Sequence, residues 1–217
     1  MGQLFFYLVI LFFAAIALVF VKDALFVGII IGIISTILFV FIDFFAKNLN
    51  SLNWIWYSFR YYKTYVRLSI SYLFRIRINH QYFLVKGKRF SQFQPVGGVF
   101  KRYPSSDIHF QEMNVLSDDL IPVDQTSVYD LRIRVKGKHL IRFVKWFNSM
   151  QGREISGWRE FYEELIETQL LPKEKFPSVS YQYIRRYIHP LRYSEYAQSY
   201  EIIIAEISAP ALLNNKM

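Results

Sequence analysis

The chain has 217 residues, 53% of them hydrophobic, with no cysteine, a formal charge of +9 and a mean hydropathy of +0.17. A positive mean hydropathy at this length excludes a soluble globule throughout. The lack of cysteine excludes a disulfide scaffold and any Cys-ligated metal, and the histidines at 80, 109, 139 and 189 have no metal-binding spacing.

The apolar excess sits at one end. Residues 4–21 carry no charge and residues 24–46 carry only Asp43. As helices they reach about 27 and 34 Å, against a hydrocarbon core of about 30 Å, so both read as spans. Met1-Gly2-Gln3 lacks the basic start of a signal peptide, and Lys22-Asp23 leads directly into the second run. The expectation is therefore an uncleaved transmembrane hairpin over residues 1–46. Lys47, Arg60, Lys63 and Arg67 follow the second span while one Lys lies between the spans. The positive-inside rule then places both chain ends in the cytoplasm. Gly28, Gly32 and Ser35 form a stripe of small residues in the second span, suited either to packing within the hairpin against Ala14, Ala15 or Ala17 or to assembly between copies. Asp43, near the cytoplasmic end, is placed to reach water.

Residues 47–66 mix Trp54, Trp56, Tyr57, Tyr61 and Tyr62 with Lys and Arg, the composition of a juxtamembrane belt or a helix along the membrane surface. The remaining domain, 67–217, follows without a Gly/Ser linker. The 26 basic and 17 acidic residues, less Lys22, Asp23 and Asp43, leave about +10 on residues 47–217. Such charge suits an anionic membrane surface or a phosphate-bearing ligand.

Leu68 to Ile78 alternates apolar and polar residues, Asn79-His80 supplies a turn, and Gln81 to Val85 resumes, so a hairpin is expected. Gln94 to Gly98 punctuates a next strand through Val99 and Phe100, and Pro104 to Asp119 reads as loop. Asp130 to Lys136 is a period-2 strand with Leu131, Ile133 and Val135 on one face and Arg132, Arg134 and Lys136 on the other. Leu140, Phe143, Val144 and Phe147 recur at helical spacing in residues 139–149. Residues 158–170 form a second helix, with Phe161, Leu165 and Ile166 on its apolar side, stopped by Pro172. Tyr200 to Ile207 is a closing strand, and the last residues read as frayed.

Glu160, Glu163 and Glu164 recur at i, i+3 and i+4 behind Arg159. Clustered carboxylates need a cation among them, an arginine or a hard divalent metal. A solvated acidic face paired with the domain's Lys and Arg is the other reading of the same pattern.

Arg159-Glu160-Phe161-Tyr162-Glu163-Glu164 resembles the core of the Nudix box, and Gln94 to Gly98 resembles its glycine-rich lead-in. Residue 151 is Gln where the box has Glu, residue 166 is Ile where it has Gly, and about sixty residues separate Gly98 from Arg159. The stretches Tyr72 to Tyr103 and Trp146 to Leu171, with the hairpin, resemble more narrowly the Nudix-like domains associated with bacterial cGAS-like nucleotidyltransferases, in the anti-phage system CBASS, often behind two transmembrane helices.

That resemblance implies a membrane protein with an N-terminal two-helix hairpin and a cytoplasmic α+β Nudix-like domain, a mixed sheet with flanking helices. It implies an inner-membrane effector that binds a cyclic oligonucleotide, forms a homo-oligomer, and disrupts the lipid bilayer to abort infection, with no specific nucleic acid as partner. Arg132, Arg134, Lys136 and Lys138 are the candidate phosphate contacts, and Phe93 and Phe100 the candidate stacking surfaces. No cofactor is required in this reading. If the box is active, the resemblance implies that Glu160, Glu163 and Glu164 are the Mg2+-ligand or base positions, with Arg159 as their organising salt-bridge partner, in a membrane-anchored hydrolase of nucleoside diphosphate derivatives. A passive anchor that recruits a protein or nucleic acid is a third reading.

Overall fold

The computed structural model describes residues 2–78, 80–87, 92–118, 127–176 and 178–210. The expected turn residue Asn79, the loop end Asp119 and the frayed tail from 211 lie outside them. The chain forms two compact units, Met1–Trp56 and Tyr57–Met217.

The first unit is helical. Helix α1 is Gly2–Phe20 and α2 is Ala24–Arg60. Asp23 caps α2, its Oδ1 accepting from the amides of Leu25 at 2.9 Å and Phe26 at 3.3 Å. No Gly or Pro follows Gly32 before the helix ends, so residues 47–60, expected as a separate surface segment, continue α2. Reduced exposure recurs at Val27, Ile30, Ile34, Ile37 and Phe41, an alternating three-and-four spacing that forms one seam. Elsewhere large apolar side chains are exposed, among them Phe12, Phe20, Leu25 and Phe39. Hydrocarbon solvates such a surface and water does not. Over Ala24–Leu49, α2 is long and apolar enough to cross a membrane; among the described residues the apolar run of α1, Phe6–Phe20, is shorter. In the same helix the Ser35 and Thr36 hydroxyls donate to the carbonyls of Ile31 and Gly32, so neither is left unsatisfied in an apolar medium.

The second unit is built on a mixed sheet. Its strands are β1 (Tyr65–Phe74), β6 (Val96–Val99), β7 (Leu116–Ser117), β8 (Arg132–Lys136), β9 (Tyr181–Ser194) and β10 (Ser199–Pro210), in the order β7-β8-β1-β10-β9. Strand β1 is central: it pairs in parallel with β10, and antiparallel with β8 along its first half and β6 along its second. The short strands β2 (Arg77–Ile78), β3 (Gln81–Tyr82), β4 (Val85–Lys86) and β5 (Phe93–Gln94) pair as β2 with β3 and β4 with β5.

The expected hairpin is therefore reduced to β2 and β3. Alternation identifies a strand and its two faces but not its partners, and β1 spends its edges on β6, β8 and β10 instead. Val66, Leu68, Ile70, Tyr72 and Phe74 face the core with Ile133, Val135, Ile202 and Ile204. Helix α4 (Leu140–Ser149) covers this face through Leu140, Phe143 and Phe147, and α5 (Trp158–Phe161) through Phe161, which meets Phe74 edge-on at 5.6 Å.

Residues expected as loop contain a 3-10 turn, Pro104–Ser106, and helix α3, Asp107–Glu112. One buried anchor, Phe110, packs edge-on against Trp146 at 5.0 Å, too sparse a signal for periodicity to register. Strand β9 was unforeseen because Tyr, Arg and His alternate on it with little burial; it lies at the sheet edge, where Pro190 is tolerated.

Candidate functional site

The fold joins β6 to α5 although about sixty residues of chain separate them. Beyond α5 the helix widens into one π-helical turn, Tyr162–Ile166, closed by the Glu167 amide donating to the Tyr162 carbonyl at 2.9 Å. Single π turns insert one residue and re-aim the side chains around them. Here Glu163 and Glu164 point to different partners.

Arg159 is the centre. Its Nε donates to Glu154 Oε1 at 3.1 Å, and Nη1 to Glu160 at 2.7 Å and to both oxygens of Glu163 at 3.3 Å. Nη2 donates to Glu154 Oε2 and the Val99 carbonyl at 3.2 Å and to the Tyr72 hydroxyl at 3.3 Å. One guanidinium thus ties together β1, β6, α5 and the segment before α5. Burial works against its charge, but the Glu154 hydrogen bond and the negative charge around it raise its pKa further. Burial likewise pushes the Tyr72 hydroxyl up, and Glu154 adds to it, so Tyr72 stays protonated.

Two glycines bring β6 close. The Gly97 amide donates to Glu164 Oε2 at 3.0 Å. Gly97 has φ +151°, and a Cβ there would lie 2.2 Å from the Tyr72 carbonyl oxygen; a Cβ on Gly98 would lie 2.2 Å from the Glu160 carboxylate. The glycine-rich strand and the acidic helix, read separately along the chain, form one site.

Glu154, half of that site, was missed. It takes both Arg159 Nε and Nη2; its amide donates to the Lys101 carbonyl at 2.7 Å, and its Oε2 accepts from the Lys101 amide at 3.2 Å. Its signal was being the nearest acid before Arg159, three residues after the Gln151 that the box would have as Glu.

The Nudix resemblance implies a divalent cation on Glu160, Glu163 and Glu164. Glu160 and Glu163 turn instead to Arg159, and Glu164 to the Gly97 amide. Among the described residues no three His, Asp or Glu side chains converge to hold a metal ion. The three carboxylates do not fit that ion.

The candidate ligand residues separate into two places. Phe93 is 72% exposed on β5 and lines a cleft of about 420 Å3 with Leu84, Lys86, Glu164 and Thr168. Phe100, expected as a stacking surface, is instead 2% exposed; it meets Tyr72 and Phe147 edge-on at 4.8 and 5.6 Å and belongs to the core. Arg132, Arg134 and Lys136 do share one face of β8, and Lys138 is exposed in the following turn. But β8 pairs with the Tyr65–Ser69 end of β1, and β6 with the Ser71–Phe74 end. The cations and Phe93 are therefore not convergent.

Arg132 pairs with Asp130 at 2.9 Å; burial raises the Asp130 pKa and Arg132 opposes the rise. Beside Arg134 on the same face, Arg67 is buried between Asp118, at 2.6 Å, and Glu201, an ion cluster no sequence pattern flagged. Gly28 and Gly32 are exposed, and a Cβ on either would meet nothing within 4 Å; Ser35 is exposed with them.

Residues 65–216 match the family model described as the SMODS-associated NUDIX domain. Its first residue is the first residue of β1. No curated protein and no solved structure matches the chain.

Proposed function

Because this chain belongs to the family of SMODS-associated NUDIX domains, we propose that it is a membrane effector of a bacterial cyclic-oligonucleotide anti-phage system, CBASS. In this reading α2 crosses the inner membrane over Ala24–Leu49, α1 recrosses it, and both chain ends are cytoplasmic. A cyclic oligonucleotide made after infection occupies the Nudix-like domain. Copies of the chain then assemble through Gly28, Gly32 and Ser35, and the bilayer is breached.

The observation that carries the ligand half is the Phe93 cleft. Its volume lies within the range of small-molecule sites, and it offers an exposed ring for a base, Lys86 for a phosphate, and Thr168 and Glu164 for base edges. The membrane half rests on the exposed apolar surface of α2 and on the open glycine stripe.

The test is dye release from liposomes holding the full chain, with a panel of cyclic di- and trinucleotides added one at a time. Release with one ligand and none without it is the expected result; an intact bilayer across the whole panel overturns the reading.

A further inference from the structure

The acidic helix and Arg159 carry an inference independent of ligand gating. In the hydrolase reading, Glu160, Glu163 and Glu164 surround a divalent cation. The negative charge does converge on a cation in this chain, but that cation is covalently part of it. Arg159 sits among Glu154, Glu160 and Glu163, with contacts between 2.7 and 3.3 Å, and its remaining hydrogens go to the Val99 carbonyl and the Tyr72 hydroxyl.

We propose that the Arg159 guanidinium is a built-in counter-cation that occupies the divalent-ion position of the Nudix-like site, so that the site is complete without metal. Three observations support this. The Arg159, Glu154 and Glu160 side chains are 25%, 11% and 16% exposed, so these three face one another, while Glu163, at 39%, closes the cluster on its open side. Glu160 occupies the space beside Gly98 that a Cβ would fill, 2.2 Å from its carboxylate, so glycine at 98 is what lets it reach the Arg159 cluster. Glu164, the third carboxylate, is drawn off to the Gly97 amide. A planar fork with five N–H donors satisfies this spread of acceptors, whereas a hard cation would need oxygens gathered around one point at about 2.0–2.5 Å.

The probe is Mn2+ alone, followed by thermal melting of the full chain in detergent, with Arg159→Gln beside the wild type. The wild type melts at the same temperature in Mn2+ and in EDTA. Arg159→Gln, which leaves three carboxylates without their cation, melts lower in EDTA and is raised by Mn2+. Where Arg159→Gln cannot be recovered folded, Arg159→Met gives the same comparison, since it too removes the charge while keeping an apolar stem to pack. Stabilisation of the wild type by Mn2+ overturns the proposal, and so does a variant indifferent to Mn2+. Neither outcome bears on whether a cyclic oligonucleotide releases dye, so the two readings fail separately.

Discussion

The backbone amide of Gly97 and the side chain of Glu164, 67 residues apart in sequence, are joined by a hydrogen bond of 3.0 Å. It fastens β6, which pairs with the central strand β1, to the π-helical turn. Gly97→Ala would place a Cβ against the Tyr72 carbonyl in a backbone conformation that side chains rarely adopt. We expect a loss of about 2–3 kcal/mol in denaturant unfolding. Gly98→Ala costs less, because it displaces the end of the Glu160 side chain rather than backbone.

Phe93 is mostly exposed and Phe100 is core, so their alanine variants separate binding from folding. Phe93→Ala keeps the wild-type melting temperature and weakens cyclic-oligonucleotide affinity about 5- to 150-fold in calorimetry, the worth of one lost stacking contact. Phe100→Ala lowers stability by about 3–5 kcal/mol. Unchanged affinity in Phe93→Ala would remove the cleft from consideration.

Arg67 is buried between two carboxylates that are themselves buried. Arg67→Met strands both and should destabilise the domain by about 3–5 kcal/mol. The triple change Arg67→Met, Asp118→Asn and Glu201→Gln, which leaves no buried net charge, should recover much of that loss in the same unfolding experiment.

His139 is held below its ordinary value of 6.5, first by burial and then by Lys138, Arg142 and Lys136. Its Nε2 is buried with no hydrogen-bond partner among the described residues. A lowered folded-state value means the neutral ring is favoured. Its contribution is whole above about pH 6.5 and is lost as pH falls through the lowered value. Melting curves at about pH 7.5 and about pH 5 should therefore show a larger acid loss for the wild type than for His139→Gln.

What the sequence made legible divides along physical lines. Faces were legible. The alternation of β8, the apolar side of α4 and the buried set Phe161, Leu165 and Ile166 all follow from period, and the structure buries them. Strand partners were not: nothing local in Leu68 to Phe74 tells that β10, at the far end of the domain, lies alongside. In the site, Arg159 and the three glutamates were legible as a motif and the glycines as its lead-in. Glu154 was not, since its role comes from where the chain returns past β6. The cationic face of β8 was read correctly as a face, but its distance from Phe93 depends on which half of β1 each strand takes.

The parallel pairing of β1 with β10 also fixes an order of events during synthesis. Val66 lies opposite Tyr200 and Phe74 opposite Ser208, so the central strand cannot acquire its long neighbour until residues 200–208, more than 130 positions later, have been made. Contacts of such sequence separation form late. The apolar helices, by contrast, have emerged before β1 is made. Translation therefore completes the apolar N-terminal helices while the sheet of the second unit is still unfinished, so the two units mature in sequence rather than together.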